Sequence, residues 1–521
     1  MTSAPALSQI QSLFTEAVKS HTAGQFRAAL GLYDQVIALN PGHAVVHYNR
    51  GVALHGLGEL PAALDSCDRA IALEPKSAQF HACRGDMLQA LDRLEDAVAS
   101  YGRSLALDPA VADVHVSLGI ALQKLHKYDR ALACYDAALA LRPNHAETHN
   151  HRGIVLQDLI RFDAALASYD RAAQINPDLV EARRNAFWIH LGTLKDPDAI
   201  ARAGEEAVRT VIKQECDALS AQRAIADFRL AHDLEQTDYL IANGYDLPGL
   251  RPANTTLRKL YELFRQQIEE GEDARSIPLT ADEANDIIGL RRAFLRYETP
   301  RDLDHYLHPE TDWAAIEEQY FSSSPEMAAI DNFLAPRALE ELRKFCLVST
   351  VWKTDYPKQY LGATAGAGFV SPLHVGIARD LQRRMPRIFG GHRFEQLWAF
   401  KCSSKMRAGL NVHADVARVN LNFWVTPDDA NLDPATGGLV VHDVPAPADW
   451  NFQDYNNNEQ GIHAFLKKNG ARSRTFPYRC NRAVLFNSSL FHETDAIHFK
   501  PGYENRRVNV TCLFGIGLRT R

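Results

Sequence analysis

From Pro109 to Pro143 the chain reads PAVADVHVSLGIALQKLHKYDRALACYDAALALRP, and the fold of the first third follows from the recurrence of this phrase. Prolines stand at Pro41, Pro75, Pro109, Pro143 and Pro177, each 34 residues after the one before. The same step carries a small residue through Ala17, Gly51, Gly85, Gly119 and Gly153, and alanine through Ala29, Ala63, Ala97, Ala131 and Ala165. An aromatic recurs at Tyr33, Tyr101, Tyr135 and Tyr169, with Cys67 in the remaining place. Such a period describes stacked helical hairpins. The small residue lets the first helix of a hairpin approach the second, the alanine lies at their crossing, and the aromatic fills the gap to the next repeat. The proline ends the second helix, because it lacks an amide proton and clashes with the preceding turn.

This register resembles the tetratricopeptide repeat, with five copies over residues 10–179 in a domain set at residues 1–180. Stacked repeats bury their core between neighbours and expose a concave face, so the resemblance implies a protein or peptide partner. His55, Gln89, Gln123 and Gln157 fall at the same step on the first helix of successive hairpins. They read either as a polar ladder for a peptide backbone or as a solvated helix face, and at any single position the solvated face is favoured.

Residues 181–326 lose the period but keep helical spacing, for example over 200–219, 221–243 and 256–270, with stops at Gly244 and Pro248. They are expected to form a helical linker that caps the solenoid. The charged run from Arg229 to Tyr239 is expected to be a solvated face rather than a contact with the catalytic domain.

From Met327 to the end the texture changes. A strand and a helix opening near Pro336 are followed by strand-like runs at 394–402, 417–426, 438–444, 482–486 and 507–514, separated by loops rich in Asn, Asp, Pro and Gly. That pattern predicts an antiparallel sandwich or barrel. Within it, His413-Ala-Asp415 puts an imidazole and a carboxylate on one face of an extended segment. His492, after an apolar strand, is the best third ligand. Two histidines and a carboxylate on one side of iron(II) leave positions for a cosubstrate and dioxygen. A dicarboxylate cosubstrate such as 2-oxoglutarate also needs a fixed cation, which Arg507 supplies by its place 15 residues beyond His492. Asn509 shares its face as a supporting donor; Arg506, on the other face, is the fallback. His442, His463 and His498 are rival ligands that read better as surface or packing histidines.

Over residues 328–517 these motifs resemble the 2-oxoglutarate and iron(II) dioxygenase superfamily, which includes the prolyl hydroxylases. The resemblance rests on His413-x-Asp415, the strand Asn420-Leu-Asn-Phe-Trp-Val-Thr-Pro427, Thr436-Gly-Gly-Leu439, the distal His492 and Arg507-x-Asn-x-Thr511. It implies a double-stranded β-helix (jelly roll), His413, Asp415 and His492 as iron ligands, Arg507 as the cosubstrate anchor, and Asn422 lining the cosubstrate pocket. Cys402 stands where many relatives place a tyrosine. The implied activity is hydroxylation, with iron(II), 2-oxoglutarate and dioxygen as cofactor and cosubstrates. The loop 426–450, with Asp428, Asp429, Asp433 and Trp450, is expected to form part of the substrate entrance.

The repeat array favours a protein or peptide substrate; the alternatives are a small-molecule oxygenase using the repeats for assembly, and a non-catalytic adaptor with a relic barrel. At 521 residues, 46% hydrophobic and 23% charged, the chain has the composition of globular domains. Its net charge of -7 argues against nucleic acid or anionic membrane as a general partner. Eight scattered cysteines without a CxxC pair fit neither a zinc site nor a disulfide framework. Gln9, Gln11 and Glu16 interrupt the apolar run a signal peptide would need, so a cytoplasmic protein is expected.

Overall fold

The computed structural model describes residues 4–269, 276–356, 358–406 and 412–515. Residue 270, the expected end of a helix in the middle segment, lies outside them, as do residues 516 and 517 at the end of the dioxygenase-like stretch. The chain divides into two compact units, Met1–Ala186 and Phe187–Arg521.

The first unit is a stack of antiparallel helix pairs, among them Ala78–Ala90 with Leu94–Leu107 and Ala112–Lys124 with Tyr128–Leu141. The glycines explain why the period is strict. A Cβ on Gly85, Gly119 or Gly153 would lie 2.5, 2.6 or 2.5 Å from the ring of Tyr101, Tyr135 or Tyr169. Each tyrosine thus sits on the glycine of its own hairpin, and Tyr135 also stacks on His151 of the next. Where the aromatic is replaced by Cys67, a Cβ on Gly51 would meet sulfur at 3.0 Å.

Two further ladders run at the same step. Nε2 of His47, His81, His115 and His149 donates to the carbonyl of Pro41, Pro75, Pro109 and Pro143, each at 3.0 Å. The proline that stops one helix is therefore pinned by the next. Arg50, Arg84 and Arg152 each bridge an aspartate (Asp34, Asp68, Asp136) and a serine (Ser66, Ser100, Ser168). At the one step with Leu118 instead of arginine, the other two positions are Gly102 and Cys134. The triad is lost as a whole, as expected when its arginine has no partner left at either position.

In the second unit the strands are, in chain order, β1 (Ala224–Ala226), β2 (Ser276–Pro278), β3 (Met327–Ile330), β4 (Thr354–Tyr356), β5 (Tyr360–Thr364), β6 (Phe394–Cys402) and β7 (Lys405–Met406). They continue with β8 (Val419–Trp424), β9 (Leu439–Pro445), β10 (Ser473–Phe476), β11 (Ala483–Asn487), β12 (Leu490–Thr494), β13 (Ile497–His498) and β14 (Val508–Phe514). A seven-stranded sheet has the order β3-β11-β8-β14-β6-β5-β4, and a three-stranded sheet the order β10-β9-β12. All the pairings are antiparallel.

The period of two along a strand assigns the faces. Val419, Leu421 and Phe423, with Val508 and Val510, join a core that also holds Phe187, Ile200 and Phe345 from the helices. Trp424 belongs to a second core with Met327, Leu439, Val441, Phe476, Phe486 and Leu490, so the two sheets face each other. On that inner face Asn420, Asn422, Asn509 and Thr511 are buried.

The helix Asp227–Ala242 corrects one expectation. Arg229, His232, Gln236 and Thr237 are buried rather than solvated. Arg229 donates to the Trp352 carbonyl at 2.6 Å and pairs with Asp355 at 2.7 Å, while Gln236 donates to the Ser349 carbonyl at 3.2 Å. Its charges are consumed against the sheet-bearing region, which charge density alone does not reveal.

Candidate metal centre

His413 and Asp415 lie just ahead of β8, and His492 lies in β12. His413 and His492 form an antiparallel bridge: His413 N–H donates to the His492 carbonyl at 3.0 Å, and His492 N–H returns to the His413 carbonyl at 2.8 Å. The backbone therefore brings the two imidazoles side by side, with ring centroids 4.3 Å apart. Asp415 N–H donates to the Ser488 carbonyl at 3.1 Å, which places its carboxylate beside them. Ligand atoms of all three lie within 4.8 Å of one another.

Proton positions sharpen this. His492 Nδ1 faces the Leu490 carbonyl at 3.1 Å. A carbonyl only accepts, so Nδ1 carries the proton. That leaves Nε2 facing Asp415 Oδ2 at 3.4 Å. A neutral imidazole would then oppose a lone pair to a carboxylate, so a positive charge belongs between them, whether a proton or a metal ion. A second ring nitrogen tied to a backbone carbonyl is what metal-ligating histidines ordinarily show. Burial would raise the Asp415 carboxyl, yet its hydrogen bond with His492, the charge of His413 and the Asn420 amide hold it below the ordinary carboxylate value.

An ionised Asp415 can only accept, and this sets the direction of a buried chain of amides. Asn420 Nδ2 donates to Asp415 Oδ2 at 2.7 Å, and Asn422 Nδ2 to Asn420 Oδ1 at 2.5 Å. Asn422 Oδ1 then accepts from Thr511 at 2.6 Å and from Asn509 Nδ2 at 2.9 Å. Asn422 is thus the hub of a relay ending on Asp415. The amide protons of Asn509 go to Asn422 and Thr511, so what it keeps is its carbonyl oxygen, without a partner among the described residues, in place of the donor expected of it.

Arg507 is fully buried. Nε donates to the Gly437 carbonyl at 2.6 Å and Nη2 to that of Gly438 at 3.4 Å, while Nη1 has no partner among the described residues. The guanidinium lies 5.6 Å from the Trp424 ring, whose own Nε1 is buried and has no partner among the described residues. Burial pulls Arg507 below the ordinary arginine value, opposed by Cys402, Tyr478 and Asp495. No carboxylate among the described residues forms an ion pair with it. A dry cation without a counter-ion is costly to maintain, which marks the place for an anion. Arg506, the fallback, is occupied: its Nε pairs with Glu235 at 2.6 Å.

The rival histidines stand elsewhere. His442 pairs with Glu493 at 3.1 Å, and His463 and His498 are exposed. A cleft of about 380 Å³ opens beside Asp415, walled by Pro445, Ala446, Pro447 and Ala448, with Arg418, Asn487 and Ser489 around it. Only this last part of the loop 426–450 lines it. Asp428 accepts from Cys480 N–H at 2.5 Å, Asp429 pairs with Lys500 at 3.1 Å, and Asp433 caps a turn. Asn420 and Trp424 have no role of their own in the sequence reading beyond membership of the 420–427 strand, although polar residues two apart in an otherwise apolar strand signal a satisfied inner face. In the repeat unit the ladder is partly spent: Gln123 and Gln157 accept the hydroxyls of Tyr135 and Tyr169 at 3.0 and 3.1 Å, whereas His55 is exposed.

A family model described as tetratricopeptide repeat matches residues 22–78 and 116–180. The N-terminal region therefore carries tetratricopeptide repeats. Among solved structures, a crystal structure of MamA is 20% identical over 31% of this chain and 94% of its own, with a TM-score of 0.30. YrrB, described as a TPR protein with an unusual peptide-binding site, is 21% identical over 33% and 88%, with a TM-score of 0.30. PilF of Pseudomonas aeruginosa is 18% identical over 40% and 93%, with a TM-score of 0.36. A search of curated proteins returned no match. No described helix is long and apolar enough to cross a membrane.

Proposed function

We propose that the Phe187–Arg521 unit is an iron(II)- and 2-oxoglutarate-dependent oxygenase with a jelly-roll core, and that the repeats recruit a protein or peptide for it to hydroxylate. The observation that carries this reading is that the unit holds both halves of the required chemistry. Two imidazoles and a carboxylate converge within 4.8 Å, and a fully buried guanidinium with no ion pair among the described residues stands at the start of β14, the strand paired with β8.

The donor set fits. Two neutral nitrogens and one carboxylate oxygen suit iron(II), and Arg507 Nη1 is free for the distal carboxylate of 2-oxoglutarate. When bound, iron(II) with 2-oxoglutarate and dioxygen supplies insertion of one oxygen atom into a carbon–hydrogen bond, with succinate and carbon dioxide as coproducts. The chain's own residues do the positioning. Leu490 holds the His492 tautomer, Asn420 fixes which carboxylate oxygen faces the imidazole, and Asn422, Asn509 and Thr511 keep Asn420 in place. Trp424 and the apolar core behind it keep water from Arg507. The proline- and alanine-walled cleft beside Asp415 gives a substrate side chain its approach.

The test is made on the full-length protein. Partners are captured under anaerobic conditions with iron(II) and 2-oxoglutarate, then exposed to oxygen. Expected are succinate release and a gain of one oxygen atom on the captured polypeptide. Iron-dependent succinate release without a modified polypeptide would move the substrate to a small molecule. No iron-dependent succinate with any partner would leave only an adaptor.

A further inference from the structure

The repeat unit contains a pair of thiols that the oxygenase reading does not use. Cys67 lies in the helix Leu60–Leu73 and Cys83 in the helix Ala78–Ala90, which belong to consecutive hairpins. Their sulfurs are 2.8 Å apart and buried, with Cys67 fully enclosed and Cys83 5% exposed. A disulfide bond is about 2.05 Å long, so closing it needs a shift of under 1 Å.

The repeat register shows that the juxtaposition is particular to this step. Residues 16 apart at this point face each other between hairpins: Tyr135 stacks on His151, and Tyr101 lies near Ser117. The pairs are Tyr33 and Asn49, Tyr101 and Ser117, Tyr135 and His151, but Cys67 and Cys83. Both sides of one inter-hairpin contact are cysteine here and nowhere else in the array. The remaining cysteine of the repeats, Cys134, is partly exposed and stands at a different register position.

We propose that Cys67 and Cys83 are an oxidation site, closing to a disulfide that covalently ties the second hairpin to the third. The oxidant class is a peroxide small enough to reach a buried thiol. One cysteine gives up two electrons to hydrogen peroxide, forming a sulfenic acid and releasing one water. The other thiol then attacks that sulfur and displaces a second water. In sum, two thiols and one hydrogen peroxide give one disulfide and two waters. The facing Cys67 sulfur, burial and Asp86 all hold the Cys83 proton on, so the first step is slow. The same burial keeps reductants from the finished bond, making it a durable cross-link rather than a fast sensor.

The sequence makes the test direct. Trypsin cuts after Arg50, Arg69, Lys76 and Arg84, so the cysteines fall on separate peptides, 51–69 and 77–84. Full-length protein is treated with hydrogen peroxide, its free thiols are blocked with N-ethylmaleimide, and the digest is analysed without reductant. Expected is one species joining the two peptides, two hydrogens lighter than their sum and abolished by dithiothreitol. A rise in Tm should accompany it. Cys83→Ala should lose both signals, and wild-type protein analysed beside it covers a variant that fails to fold. Recovery of Cys67 and Cys83 in wild-type protein as maleimide adducts or separate sulfinic acids, after Cys134 has been oxidised, would overturn the assignment.

Discussion

Replacing Arg507 by methionine separates the roles of a buried cation. In the free protein the guanidinium gives two hydrogen bonds to the Gly437 and Gly438 carbonyls and carries an uncompensated charge in a fully buried site. Losing the two bonds costs about 1 to 3 kcal/mol, and removing the unpaired charge offsets that with a gain of similar size. The free variant should therefore melt near the wild type. The ligand-bound state behaves otherwise. A carboxylate brought to Nη1 and then deprived of its cation loses about 3 to 5 kcal/mol, which is roughly 10²- to 10³-fold or more in Kd. Anaerobic calorimetry with manganese(II) in place of iron measures 2-oxoglutarate affinity, and differential scanning measures stability. Wild-type affinity in Arg507→Met would refute the assignment of Arg507 as the anion anchor. A collapse of the metal-free protein would show the arginine to be structural.

Further perturbations check other parts of the account. Gly119→Ala should destabilise the repeat unit by about 1 to 3 kcal/mol, because its Cβ would lie 2.6 Å from the Tyr135 ring, and Gly51→Ala by less, since it meets Cys67 sulfur at 3.0 Å; equal costs in urea melts would contradict this packing. Asn420→Ala should weaken metal affinity by about 10- to 100-fold, measured by cobalt(II) titration, with Thr511→Val weaker in the same direction; unchanged affinity in both would remove the relay from the mechanism. His374, held at a pKa of about 3 by burial, binds its proton more weakly folded than unfolded. Its contribution is therefore complete above the unfolded value near 6.5 and is lost as pH falls towards 3, about 2 kcal/mol being gone at pH 5. In His374→Gln the drop in unfolding free energy between pH 7 and pH 5 should shrink by that amount, and an identical drop would argue against it.

The architecture of the first third was legible because one period governs it, and the prolines, glycines and alanines sit where the helices end and cross. The histidine ladder and the arginine triads have the same period but are not legible, since polar residues on helices usually signify nothing but solvent. In the second unit the strands at 394–402 and 439–445 fall almost where alternation put them. Residues separated by long stretches of sequence, such as Asp415 and His492, could be nominated by chemistry but brought together only by the pairing of Ala483–Asn487 with Val419–Trp424 and the turn that follows. The burial of Arg229 and the carbonyl left over on Asn509 were not legible. Both depend on which partner consumes which proton, and that is settled across strands and helices rather than along them.

The most direct measurement is anomalous diffraction at the iron edge from crystals grown anaerobically with iron(II) and 2-oxoglutarate. A single peak is expected about 2 Å from His413, Asp415 and His492, with the cosubstrate's far carboxylate on Arg507 Nη1. Iron bound elsewhere, or 2-oxoglutarate density away from Arg507, would contradict the proposed oxygenase site.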